Sequence, residues 1–400
     1  MKTLERILYL LALLFAVFGV IGELFFPAHV RFILDDGLFP FGLMYLALIF
    51  FKKKDWRWLI LAFGAMAVWG GLSDLLAHGG IRMAPIGMLL RWLKWPIILV
   101  AVADLSRIGA RKEQVENAMC FLFLALAGLN IIMILNPFGW GLALSEWYSP
   151  KSDVMLSNYN EFGAFRLSGT MLNPNNNAIL FGLFFLYFLH MNARKYWKYI
   201  LLAFVIIFLT QSRTVLLVSL FIFGIYIIQT SSRRTRLILI PATLFSLLIG
   251  LFLVRSTNLM SIFNGSAFTS NSFTLRVEHY NVLFESKTSE LLVGHGIVLN
   301  PLDAVGFYFD SAYLSITYQY GIVGMLIWLM IIASLWSMIR MWNRTSTFAW
   351  AVTLFILGVA STNFTFLNTE SATLLMIVVG AWLFGQCKNE LSHNAEEKSE

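Results

Sequence analysis

The chain has 400 residues, of which 58% are hydrophobic and only 13% charged, with a mean hydropathy of +0.74 and a formal net charge of +7. That composition excludes a soluble domain of this length. The basic excess is explained by its position in the connectors and by anionic lipid headgroups, so nucleic-acid binding is not needed to account for it.

A spanning helix needs about 20 predominantly apolar residues. The stretches that meet or approach this fall at about 7–26, 38–51, 57–77, 85–104, 117–135, 176–193, 197–211, 213–230, 237–254, 313–338, 347–362 and 370–386. The first is too long for a signal-peptide core and no small-residue cleavage site follows it, so it reads as a retained helix. Within the fourth, Arg91 and Lys94 stand three residues apart in the outer half. They fit either binding of a lipid phosphate or snorkelling to the interface.

Lysine and arginine set the expected topology. With the N-terminus inside, the cytoplasmic connectors hold 19 of the 29 basic residues, among them Lys52, Lys53, Lys54, Arg107, Arg111, Arg194, Arg233 and Arg340. The positive-inside rule then places both termini in the cytoplasm. The expectation is an all-α polytopic membrane protein of about 12 helices, one transmembrane domain over 1–387, and a polar cytoplasmic tail over 388–400 of disordered composition. Cys120 and Cys387 fall within lipid or on opposite sides, so no disulfide is expected, and no Cys/His pair has zinc spacing.

Two external segments, about 136–175 and 255–311, are too long to be turns, and long loops in compact membrane proteins usually carry function. In the second, Phe273, Val277, Tyr280 and Phe284 form one apolar helical stripe, with Arg276 and His279 on a neighbouring face. That helix either packs on the surface or roofs a cavity.

Polar residues persist at four places. The first long loop closes on Arg166 through Asn173-Pro174-Asn175-Asn176-Asn177, where Asn173 or Asn175 suits a helix N-cap and Pro174 a helix start. A helix N-terminus there also favours an anion. Gln211-Ser212-Arg213 joins two spans with almost no loop, so Arg213 either snorkels or is kept for an anionic ligand. Arg276 is the third. The fourth is Asp310 through Tyr313 to Gly321 and Gly324 at the head of the tenth span, where Asp310 is either an N-cap or a reactive carboxylate. If Arg166, Arg213 and Arg276 converge, their guanidinium forks match a diphosphate, and they would stabilise charge on a diphosphate leaving group. The reaction would then need a base to take the proton from an acceptor hydroxyl.

These residues resemble the O-antigen polymerase and O-antigen ligase superfamily of bacterial polysaccharide assembly. The resemblance covers about residues 160–330: Arg166-x-x-Gly169 with Pro174-Asn175, Leu209-Thr-Gln-Ser-Arg213-Thr, Arg276-Val-Glu-x-Tyr280, Leu292-Val-Gly294-x-Gly296, and Tyr313 to Gly324. It implies a GT-C-like membrane glycosyltransferase fold with a long external loop between helices 9 and 10. It also implies undecaprenyl-diphosphate-linked oligosaccharide as substrate, membrane lipids and a chain-length regulator as partners, and no cofactor or metal. Arg213 and Arg276 take the places of the family's diphosphate-binding arginines. Arg166, Asn175, His279 and Tyr313 complete the expected binding set. Where the ligase branch has a histidine, this chain has Asp310, which argues against a histidine base and makes Asp310 the candidate base, with His279 and His295 as alternatives. The implied activity is a polysaccharide polymerase on the outer face of the inner membrane. A ligase onto lipid A-core or protein is the alternative, and a transporter of lipid-linked sugars a second one.

Overall fold

The structure, a computed structural model, describes residues 2–26, 33–80, 82–148, 166–171, 173–230, 281, 283, 285–298, 311–343, 347–362 and 369–396. Every regular element among them is helical, and the molecule is an all-helical polytopic membrane protein. In chain order the helices are α1 (Lys2–Phe25), α2 (Ile33–Lys52), α3 (Lys54–His78), α4 (Met83–Ala103), α5 (Lys112–Leu135), α6 (Trp140–Tyr148), α7 (Pro174–Asn192), α8 (Trp197–Thr210), α9 (Arg213–Thr230), α10 (Thr288–Val293), α11 (Ala312–Trp342), α12 (Phe348–Ala360) and α13 (Thr369–Glu396). Each expected span except the ninth corresponds to one of these; 237–254 lies outside the described residues. By length and apolar character, α1, α3, α4, α5, α9 and α11 are each long enough to cross a bilayer, and α2, α8, α12 and α13 contain shorter apolar stretches.

The chain divides into two compact units, Met1–Leu126 with Leu283–Ala349 and Phe364–Glu400, and Ala127–Val282 with Trp350–Asn363. In the first, α1 packs on α2, α4 and α13, while α3 packs on α4 and α11. The basic connectors close one end of it. Asp104, buried just past α4, accepts from Lys53 Nζ at 3.0 Å and Tyr45 Oη at 2.8 Å, and from Arg107 Nε. Arg107 also reaches Glu5 near the start of α1, which in turn takes Lys52. Burial pulls the Asp104 carboxyl toward a higher pKa, but Lys53, Arg107 and Tyr45 outweigh it and hold the group below the usual carboxylate range. A carboxylate depressed in this way adds stability above its unfolded pKa of about 3.9, and loses it as pH falls through the lower folded value. Thermal unfolding of the detergent-solubilised protein should therefore show an acid-labile increment below about pH 4 that Asp104→Asn removes.

Hydropathy predicts one continuous tenth span over 313–338, and the structure corrects it. The 31 residues of α11 would measure about 46 Å as a straight helix, well beyond a hydrocarbon core of about 30 Å. The helix breaks at Gly321 (φ 67°, ψ −173°), a conformation closed to L side chains. Tyr313 and Trp328 would stand about 22 Å apart along a straight helix. Their ring centroids are instead 5.5 Å apart, so the two arms fold back into a V with Gly321 at its tip.

A break frees backbone carbonyls that lipid cannot satisfy. Here Tyr318 O accepts from His295 N at 2.8 Å, Gln319 O from Ser73 Oγ at 2.9 Å, and Tyr320 O from Trp69 Nε1 at 2.7 Å. The strap that supplies His295 passes so close that a Cβ on Gly321 would lie 2.2 Å from Leu292 O, and one on Gly294 2.3 Å from Gln319 O. Gly321→Ala should cost about 3 kcal/mol or more, from strain and collision together, read as a lowered thermal midpoint.

In the second unit α7 is the central element. It is buried without interruption from Asn177 to Leu189, as a helix apolar on every face must be. α8 and α9 pack against it, and at Gly182 the Phe355 ring of α12 comes close enough to fill the space of a side chain.

Candidate functional site

The polar end of α7 organises the second unit's site. Asn173 caps the helix through its side chain, accepting from Asn175 N at 2.8 Å and Asn176 N at 3.3 Å, with Pro174 at the first helical position. Asn177, fully buried, donates to Asn130 Oδ1 at 2.7 Å and to Leu167 O at 3.3 Å. These bonds hold the Arg166–Met171 segment against α7. Gly169 (φ 55°) sits so tightly there that a Cβ would lie 2.2 Å from Asn130 Oδ1.

The α8–α9 junction is equally constrained. α8 ends at Thr210 with Gln211 in the left-handed region (φ 55°), and Thr210 Oγ1 accepts from Ser212 N at 3.2 Å. Arg213 therefore opens α9. Leu167 N donates to Leu209 O at 3.1 Å, which ties the two segments together. Arg166 then bridges them: Nε donates to Thr210 O at 3.2 Å and Nη2 to Asn175 Oδ1 at 3.1 Å.

The structure thus brings together three of the expected site residues, Arg166, Arg213 and Asn175. Burial, and then the neighbouring Arg213 charge, lower the pKa of the Arg166 guanidinium, although an arginine stays charged at any ordinary pH. The hydrogen-bond acceptors that hold Arg166 are both neutral, a carbonyl and an amide. Two guanidiniums are held within electrostatic reach of each other, beside the N-termini of α7 and α9, where the helix dipoles add positive potential. Such an arrangement attracts an anion with several oxygens. Arg166→Ala should weaken binding of inorganic pyrophosphate about tenfold or more, measured by calorimetry on the purified protein, and Arg166→Lys should recover only part of it, because an ammonium lacks the two-pronged fork.

Arg276, His279 and Asp310 lie outside the described residues. Tyr313 occupies the first turn of α11, half-buried, with its ring edge-on to Trp328. His295 stacks on the Tyr318 ring, centroids 4.1 Å apart, with Nδ1 3.2 Å from Tyr318 O and Nε2 3.6 Å from Glu290 Oε2. Both its backbone and its ring serve the strap.

One ionic group in the first unit has no counterpart in the motifs. Asp74, 3% exposed near the end of α3, accepts from Ile297 N at 3.0 Å and from Arg82. Arg82 also donates to Ile297 O, while His78 Nδ1 lies 3.5 Å from the carboxylate. The pair pins the strap to α3. A carboxylate inside an otherwise apolar span is the sequence signal for it. Among the described residues no group of three or more His, Cys, Asp or Glu side chains is placed to hold a metal ion.

The fold defines a class: a multi-pass membrane protein, here with two arginines held close together at the ends of α7 and α9. Residues 198–329 match the family model described as O-antigen ligase, and that match supports the O-antigen polymerase and ligase superfamily. The segment runs from α8 into α11 and takes in Arg213, Arg276, Asp310 and Gly321; Arg166 and Asn175 precede it. No curated protein matches the chain.

Proposed function

We propose that the protein is a bacterial inner-membrane polysaccharide polymerase. It transfers a growing glycan from undecaprenyl diphosphate to the lipid-linked repeat unit that accepts it, on the extracytoplasmic side, with both termini in the cytoplasm. The observation that carries this reading is the Arg166–Arg213 pair. Two cations lie within electrostatic reach of each other, one of them half-buried and, among the described residues, hydrogen-bonded to neutral acceptors, and a multiply charged anion would offset their mutual repulsion. A diphosphate supplies that charge as a bound headgroup and more strongly as a departing leaving group, so the same site binds substrate and lowers the barrier.

In this reading the acceptor hydroxyl attacks the anomeric carbon of the donor glycan while its proton passes to a base. The bond to the diphosphate oxygen breaks, and undecaprenyl diphosphate leaves with the electron pair. Arg276 adds a third guanidinium and Asp310 is the base. His279 and Tyr313 contact the sugars, and a chain-length regulator is a possible partner.

The ligase alternative shares the donor site and differs only in acceptor, whether lipid A-core or protein. The transporter alternative draws on the break in α11, since broken helices line many transport sites. In α11, however, the Tyr318, Gln319 and Tyr320 carbonyls accept from His295, Ser73 and Trp69. Polymer analysis on gels tests the choice. Arg213→Ala and Arg276→Ala should each reduce polymer by a factor of about a hundred or more. Deleting the gene should leave single repeats on the acceptor. Unmodified acceptor would identify a ligase, and full-length polymer from stably inserted arginine variants would refute the site.

A further inference from the structure

A polymerase joins two lipid-linked glycans, so it must hold two diphosphate headgroups, and the Arg166–Arg213 site accounts for one. The first unit carries a cation suited to the other. Arg91 lies on α4 about 12 Å along the helix from Met83, inside a span long and apolar enough to cross the bilayer. It is half-buried, next to Trp92, whose ring packs edge-on against Tyr320 at 6.4 Å, and it acts electrostatically on Tyr320 itself. Among the described residues Arg91 makes no ion pair or hydrogen bond. The nearby acid Asp74, which bears on the same Tyr320, is already engaged by Arg82 and by Ile297 N. Lys94, three residues on, adds a second cation on a nearby face, with Nζ 6.0 Å from the Phe15 ring centroid.

An ionised side chain within an apolar span either snorkels to the interface or is kept where something compensates its charge, and an interfacial phosphate meets both conditions. The fork of Arg91 fits a phosphate oxygen pair, and Arg91 stands about 8 Å from the start of the apolar span Ile86–Ala103, within reach of an interfacial headgroup. We propose that Arg91, supported by Lys94, binds the diphosphate of the acceptor lipid. This rests on the polymerase reading above. The same chemistry is offered by ordinary phospholipid headgroups, so the two sources need separate readouts.

The test is native mass spectrometry of the purified full chain with added undecaprenyl diphosphate lacking sugar, and with phosphatidylglycerol in a parallel arm. The wild type should hold two diphosphates per chain. Arg91→Gln should hold one, Arg91→Lys two, Arg166→Ala/Arg213→Ala one, and the triple variant none. Arg91→Gln removes a charge from an apolar span, so insertion is not threatened by the change. With a soluble-chain acceptor analogue in a polymerisation assay, Arg91→Gln should raise the acceptor KM about tenfold or more while kcat changes less. The proposal is overturned if Arg91→Gln still holds two diphosphates, or if it loses only phosphatidylglycerol. If the Arg166/Arg213 variant keeps two while Arg91→Gln falls to one, the arginine-pair reading fails and the Arg91 site stands.

Discussion

Every backbone carbonyl inside hydrocarbon needs a donor from the protein itself, since each one left bare costs several kcal/mol. The break in α11 is possible only because three such carbonyls find partners in Ser73, Trp69 and the strap around His295. The strap in turn is held by Asp74 and Arg82. What looks like a collection of local bonds is one dependency. The V of α11 requires the strap, and the strap requires an ion pair whose carboxylate is buried.

The same requirement shapes the second unit by different means. There the groups to be satisfied are at helix ends, and the solution is a set of amides: Asn173 capping α7, Asn177 bridging to Asn130 and to Leu167. Arg166 completes the arrangement by taking the terminal carbonyl of α8 and the side chain of Asn175. It is therefore at once a structural tie and half of a charged pair. Its bonds fix its position, and both go to neutral acceptors.

Much of this was legible in the sequence. Hydropathy marked the helices, and the Asn-Pro-Asn run marked the start of α7 with its cap. The brevity of Gln211-Ser212 predicted the sharp α8–α9 junction, whereas a meeting of Arg166, Arg213 and Arg276 was only a condition at the level of sequence, of which the structure describes the Arg166–Arg213 part. The break at Gly321 was not legible, because Tyr313 to Trp342 is apolar enough on average to read as one span and average hydropathy does not register a single backbone torsion. The Asp74–Arg82 pair was legible only in half: a carboxylate inside the apolar run of α3 signals a partner, but nothing in the sequence says that the partner is Arg82 or that residue 297 lies between them.

The clamp formed by Glu5, Lys52, Lys53, Asp104 and Arg107 uses nothing beyond the first 107 residues. Its members all precede the arginines of the second unit in the chain, so none of the clamp's bonds depends on that unit.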